Sequence, residues 1–226
     1  MSGSEGLSLV VSGVAVTARP SGALWIAAQG ALVIADAHFE KGSAYAARGQ
    51  LLPPYDTTET VSRLEVEAEA LSPRVIIFLG DAWHDGGAEA RLAPAAAMRI
   101  AALARGRTLV WIAGNHDPAG PKDIPGERCE TLALDGLILV HEPGEAPAQG
   151  ELAGHLHPCA RVASVGRRRC FITDGQRMIL PAFGAYAGGL NVRDPAIRGR
   201  LGPRKLTAVL GAGRVHAIPW RSLKGD

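Results

Sequence analysis

An α/β protein is what this sequence predicts, and three observations predict it. Val75–Leu79 and Leu109–Ala113 are continuous apolar runs, the mark of strands covered on both faces. Between and before them lie stretches with apolar residues at helical spacing. Each strand-like run also ends in a polar cluster: Asp36-Ala37-His38, Gly80-Asp81-Ala82-Trp83-His84-Asp85, Gly114-Asn115-His116-Asp117 and His141. Chemistry at the carboxyl ends of strands is the habit of α/β folds. Six of the seven histidines follow strand-like segments in this way.

Taken in order, Leu7–Val11 and Val14–Ala18 flank Ser12-Gly13 and read as a hairpin. Ala23–Ala27 and Ala31–Ala35 repeat the pattern around Gln29-Gly30, and the second run delivers Asp36 and His38. Thr57–Leu71 places Val61, Leu64, Ala68 and Leu71 on one helical face, with Glu59, Glu65, Glu67 and Glu69 mostly elsewhere, and Ser72-Pro73 stops it. After Asp85-Gly86-Gly87, the alanine-rich Ala88–Ala104 reads as a helix in which Pro94 suits only a first turn or a kink. From Glu130 onward helical spacing fades. Thr131–Leu134 and Leu137–Val140 flank Asp135-Gly136 as a hairpin. Glu151–Ala153, Arg161–Val165, Cys170–Thr173, Met178–Pro181, Leu206–Leu210 and Val215–Ile218 are further strand candidates, so the second half should be mainly sheet. Arg193–Lys205, rich in Arg, Pro and Gly, reads as a mobile loop.

At 226 residues the chain suits one domain over residues 1–226. The apolar fraction of 47% is ordinary for a globular protein, and no run approaches the roughly 18 apolar residues that span a bilayer. Met1-Ser2-Gly3-Ser4-Glu5-Gly6 lacks the basic segment and apolar core of a secretory signal. Cys129, Cys159 and Cys170 are odd in number and far apart, which favours reduced thiols and a cytoplasmic location. Cys159, near the paired histidines, reads as a packed thiol and not a ligand. The net charge of +2 hides an asymmetry. Met1 to Ala160 holds 11 basic against 19 acidic residues, a balance of −8, whereas Arg161 to Asp226 holds 13 against 3, a balance of +10. The second set includes Arg167, Arg168, Arg169, Arg193, Arg198, Arg200, Arg204 and Lys205. These can track a phosphate backbone, or can simply neutralise the acidic half.

The stretch Gly150–Pro158 sets two imidazoles two residues apart after a short apolar run. If that run continues as a strand, His155 and His157 point the same way and can grip a metal. The alternative is a pair of solvent-facing loop histidines. The upstream clusters favour the metal: Asp36, His38, Asp81, Asn115, His141, His155 and His157 are seven candidate ligands, too many for one ion and suited to two sharing a carboxylate. Mixed carboxylate, amide and imidazole donors without paired thiolates suit manganese, iron or zinc and argue against a structural zinc site. Gly80 and Gly114 let the backbone turn sharply beneath Asp81 and Asn115.

The series resembles the calcineurin-like metallophosphoesterase superfamily, whose motifs stand here in order as DAH, GDAWH, GNHD, the lone histidine of LVHEP, and GHLH. LVHEP, AGHLHP and LPAFGAYAGG, Leu180 to Gly189, further resemble the bacterial ligase-associated DNA-damage-response endonucleases of the PdeM subfamily. The resemblance implies a four-layer αββα sandwich with two mixed β-sheets. It implies that Asp36, His38 and His157 hold one divalent ion and Asn115, His141 and His155 a second, with Asp81 bridging; Mn2+ is favoured, with Fe or Zn as alternatives. Two ions roughly 3.5 to 4 Å apart lower the pKa of a shared water, orient phosphorus and neutralise its oxygens. His116 would face the leaving oxygen. Where many members carry a second aspartate three residues after the bridging one, this chain has His84, followed by Asp85; both are candidate catalytic residues. His84 contacts the substrate in one reading and packs on Trp83 in the other, and the change bears on monoester cleavage because His116 is then held differently. Phe183–Gly189 should fold back near the metal centre, as a substrate-contacting loop or as a bulged turn. The implied function is a metal-dependent phosphodiesterase, an endonuclease on single-stranded or structured DNA in repair, associated functionally with a ligase and helicase and with no membrane partner. The alternatives are a phosphatase or phosphodiesterase for small nucleotides, and a non-catalytic scaffold. A scaffold commonly loses ligands, whereas Asp81, Asn115 and His116 are all present.

Overall fold

The computed structural model describes residues 6–146, 148–163 and 165–226, so the signal-peptide reading of Met1 to Gly6 lies, but for Gly6, outside the described residues. Ser12 and Gly13 both take positive φ, at 47° and 85°, and turn β1 (Leu7–Val11) straight back into β2 (Val14–Ala18). β3 (Leu24–Ile26) pairs antiparallel with β4 (Ala31–Ile34) across one 3-10 turn. The chain then runs through α1 (Lys41–Ala46), α2 (Asp56–Leu71), β5 (Val75–Leu79), α3 (Ala88–Arg91), α4 (Pro94–Ala102), β6 (Thr108–Ile112) and β7 (Glu127–Cys129). A second run of strands follows: β8 (Thr131–Leu134), β9 (Leu137–Val140), β10 (Glu151–Ala153), β11 (Pro158–Val162), β12 (Gly166–Thr173), β13 (Arg177–Ile179) and β14 (Leu190–Asn191). After α5 (Pro195–Arg198), β15 (Leu206–Leu210) and β16 (Val215–Pro219) complete it.

These strands make two mixed sheets. The first is ordered β1-β2-β3-β4-β5-β6-β7, antiparallel up to β4 and parallel from β4 to β7. The second runs β14-β11-β12-β13-β10-β9-β8, with β15 and β16 added beside β12; β10 lies parallel to both β9 and β13. Strand side chains alternate between faces, and the alternation here sorts them into distinct cores. Val33, Ile77, Leu79, Val110 and Ile112 point at Leu139, Leu152, Phe171 and Met178 of the other sheet. Their neighbours Leu32, Ile34, Ile76, Phe78 and Trp111 point outward, onto Val61, Leu64 and Ala68 of α2 and Ile100 of α4. Each such buried side chain contributes about 1.5–3 kcal/mol. On the far face of the second sheet, Cys170, Ile172 and Val209 are covered by Val192, Ile197, Leu201 and Leu223. The result is the expected four-layer αββα sandwich, with a thin outer layer over the second sheet.

Several elements differ from the expectation. The helix expected over Ala88–Ala104 is two, because Leu92 and Ala93 are extended and Pro94 takes the first position of α4, where a missing N–H costs nothing. The strand expected over Arg161–Val165 begins earlier, at Pro158, and the one expected over Cys170–Thr173 begins at Gly166. β7, β14 and α1 carry no alternation or long periodicity from which to read them. Arg193–Lys205 holds a short helix and packed side chains. Asp194 caps α5 by accepting the Ala196 N–H, Ile197 is fully buried, and Arg193 stacks over Trp220 at 4.7 Å to the ring centroid. Glu67, expected with the solvent-facing glutamates of α2, is buried and paired to Arg19 at 2.9 Å. Removing one partner of so dry a pair costs about 3–5 kcal/mol.

Candidate metal centre

Five strands deliver the site. Asp36 and His38 follow β4, Asp81 and His84 follow β5, and Asn115 and His116 follow β6, all from the parallel half of the first sheet. His141 follows β9, and His155 and His157 follow β10, from the second sheet. Backbone hydrogen bonds knit these loops together: Asp36 N–H donates to Gly80 O, His38 N–H to Asp81 O, and Gly154 N–H to His141 O. Nine non-glycine residues with positive φ occur among the described residues, and five of them are Asp36, His38, Asp81, His155 and His157. Left-handed backbone at one cluster of donors is strain kept where it aims side chains.

That strain corrects the expectation for the paired histidines. β10 ends at Ala153, and with φ of 65° and 44° His155 and His157 leave the strand and diverge. They enter two separate groups of converging donors: Asp36, His38 and His157, and Asp81, His141 and His155. Within each group one ligand atom per residue lies within 4.8 Å of the others. His38 Nε2 sits 3.3 Å from His157 Nε2, and His157 Nε2 sits 3.3 Å from Asp36 Oδ1. In the second group His141 Nε2 is 3.4 Å from Asp81 Oδ2, 3.2 Å from His155 Nδ1 and 2.7 Å from Asn115 Oδ1. Asn115 therefore joins the second group as an oxygen donor.

The electrostatics fit cations. Burial, helped by the facing His157, lowers the His38 pKa to about 3 and holds the ring neutral, the form in which imidazole binds metal. Burial also opposes charge on His141, but its hydrogen bond to Asp81 and the charges of Asp36 and Asp81 prevail and raise it to about 9. Two buried carboxylates thus draw positive charge to one point. Asp81, against its own burial, is lowered to about 2, chiefly by His141 and the His116 N–H, which donates to its Oδ1 at 2.9 Å.

His116 is 42% exposed, and its Nδ1–H donates to the His84 carbonyl at 2.8 Å, which leaves Nε2 facing the site, 4.0 Å from Asp81 Oδ2. The backbone carbonyl of His84 thus orients the His116 ring. The His84 ring lies 5.6 Å from His116, nearly parallel, and meets His38 edge-on. Asp85 Oδ1 accepts from Gly87 N–H at 2.9 Å and Arg91 Nη2 at 2.8 Å, and its charge is felt at His84. Arg91 in turn donates to Ser43 on α1, so Asp85 ties that helix to the site. Cys159 is buried and belongs to neither group.

Three supporting residues escaped the sequence reading. Asp117 accepts from Trp83 N–H at 2.9 Å and Gly114 N–H at 3.2 Å, joining two ligand loops, and burial pushes its carboxyl up to about 6. Its place in Gly-Asn-His-Asp was the available signal. Arg169 donates to the carbonyls of Ala182, Phe183 and Gly184, and Arg63 to Phe183 O at 2.7 Å. Those two arginines press the expected loop into place, with Phe183 N–H on Ala35 O and Gly184 N–H on Asp36 O. A Cβ at Gly184 would lie 2.3 Å from Ala37 O, so only glycine lets the loop approach the first ligand strand so closely.

A family model described as calcineurin-like phosphoesterase matches residues 31–161. The nuclease MPE of Pseudomonas putida is structurally similar at TM-score 0.74 and 25% identity, over 95% of this chain and 100% of that one. Yfce, a phosphoesterase from E. coli, matches at TM-score 0.42 and 17% identity, over 84% of this chain and 98% of that one. No curated protein sequence matches the chain.

Proposed function

The chain belongs to the calcineurin-like phosphoesterase family, and from that membership we propose that it is an endonuclease cleaving phosphodiesters of single-stranded DNA. The chain is a metal-dependent phosphoesterase, and its two donor groups suit two divalent ions. In the proposal Asp36, His38 and His157 hold one ion, Asn115, His141 and His155 the other, and Asp81 stands between them. Manganese suits this donor set. When bound, two such ions activate water and neutralise phosphate oxygens.

The observation that carries the reading is the pairing of these two groups with an oriented His116. With Nδ1–H tied to the His84 carbonyl, Nε2 is presented to a leaving oxygen, to give it a proton or to stabilise its charge. Such a group is worth about 10² to 10⁴ in rate. His84, with its ring at 5.6 Å from both His38 and His116, stands where it can contact the phosphate or the leaving group. The likeness to MPE, a nuclease, favours a nucleic acid over a small nucleotide. We place the activity in DNA repair in the cytoplasm, alongside a ligase and a helicase. No helix of the described residues is long and apolar enough to cross a membrane.

Hydrolysis of bis(4-nitrophenyl) phosphate, 4-nitrophenyl phosphate and single-stranded DNA, each with added manganese, tests the proposal. It predicts cleavage of the diester and the DNA in preference to the monoester. Cleavage of the monoester alone would reject it.

A further inference from the structure

α1 lies against the site but supplies none of the converging donors. Lys41, Tyr45 and Arg48 are spaced i, i+4 and i+7, which puts them on one face, and the helical hydrogen bonding continues through Arg48 N–H to Tyr45 O. That face is turned toward the histidines: the Tyr45 ring lies 5.9 Å from the His84 ring, and Lys41 Nζ lies 6.0 Å from the Tyr45 centroid. His84 is itself 5.6 Å from His38 and from His116. A line of rings thus runs from the donors out to a tyrosine flanked by two cations.

Lys41 is half-buried and forms no ion pair among the described residues; Asp56, its acidic neighbour, spends its carboxylate on the Gly42 N–H at 2.9 Å. Burial lowers the ammonium pKa and Asp56 only partly restores it, so an arriving anion would be welcome there. Arg48 is exposed, and its charge, like that of Lys41, is felt at His84. A cation pair with an aromatic face is the chemistry that holds single-stranded nucleic acid, phosphate by charge and base by stacking.

We infer that Lys41, Tyr45 and Arg48 form the subsite for the nucleotide next to the scissile phosphate, with Tyr45 stacking its base and the two cations holding its phosphate. This rests on the proposed single-strand nuclease reading and adds where the strand leaves the metal centre. A small diester has no such neighbouring nucleotide, so the subsite acts only on a polymer.

The test compares a fluorescein-labelled oligothymidylate with bis(4-nitrophenyl) phosphate, using Tyr45→Leu, Tyr45→Phe, Lys41→Gln and, at an exposed position, Arg48→Gln. Tyr45→Leu is expected to lose about tenfold in kcat/KM on the oligonucleotide, chiefly through KM, and Tyr45→Phe to recover it, as loss of one base–aromatic stack requires. Each cation variant should flatten the dependence of log KM on log salt by about 0.7, the share of one phosphate contact on a single strand. Losses on the small diester should be several-fold smaller. Equal losses on both substrates, or unchanged oligonucleotide cleavage in all four variants, would overturn the subsite. A parent protein that hydrolyses the small diester and leaves the oligonucleotide intact would overturn the nuclease reading itself, and the subsite with it.

Discussion

Gly80→Ala probes how the second donor group is built. Gly80 has φ of +73°, and an alanine held there costs about 1–2 kcal/mol from backbone strain alone. The larger effect is steric. A Cβ on Gly80 would lie 2.2 Å from His141 Nδ1, 2.3 Å from Cγ and 2.6 Å from Cβ, whereas ordinary contact begins at 3.4 Å. The collision is with the root of a buried ring and not with a flexible end, so His141 must retreat by more than an ångström. Catalytic constellations tolerate about 0.5 Å, and a misplacement of about 1 Å costs on the order of 10²-fold. The variant should therefore stay folded, with Tm lowered by about 2–8 °C for a chain of this size. Its bound metal should fall from two ions toward one, and kcat/KM on bis(4-nitrophenyl) phosphate should drop by about 100-fold or more. Gly86→Ala, where a Cβ meets nothing within 4 Å and φ is not positive, is the matched control and should match the parent. Two ions and near-parental turnover in Gly80→Ala would show that His141 is not anchored over Gly80, and the reasoning would fail.

Other perturbations separate chemistry from scaffolding. His116→Ala should keep both metals yet lose about 10² to 10⁴ in turnover, since its bond to Asp81 comes from the backbone N–H and survives the change; metal analysis beside a rate measurement decides it. Arg169→Ala should lower Tm and slow every substrate alike, because it frees the carbonyls of Ala182, Phe183 and Gly184, whereas Arg168→Glu should act on DNA alone and vanish at high salt. Asp174 accepts the N–H groups of Gln176, Arg177 and Gly202, and these bonds lower its pKa despite partial burial. Its contribution is therefore present above the ordinary carboxylate range and lost as pH falls through the depressed folded value. Asp174→Ala should narrow the gap in Tm to the parent as acid melts are taken at successively lower pH.

Much of the site was legible because donor identity is a local property. Aspartate, asparagine and histidine directly after apolar runs named Asp36, His38, Asp81, Asn115, His141, His155 and His157, and the runs proved to be strands that end on one edge. Direction was less legible. Alternation along a strand says nothing once φ turns positive, so strand spacing alone sent His155 and His157 the same way, and only the resemblance had them part into the two groups that the backbone produces. Long-range hydrogen bonds were also hidden. Asp85, a catalytic candidate by its place beside His84, accepts from Arg91 six residues on, and the His116 Nδ1–H is held by a His84 carbonyl, a group that every residue type possesses. Composition also does not say which arginines of the basic second half are spent inside the fold: Arg169 hydrogen-bonds backbone carbonyls, and Arg177 does so while pairing with Glu151. Pro94 could be read as a first turn or a kink, and the extended Leu92 and Ala93 decide for the former.

The central claim is that donors from two sheets converge on a pair of ions. Anomalous diffraction from manganese-soaked crystals measures it directly. The account predicts two peaks, one within Asp36, His38 and His157 and one within Asn115, His141 and His155, with Asp81 reaching both. A single peak, or one coordinated by residues outside this set, would contradict it.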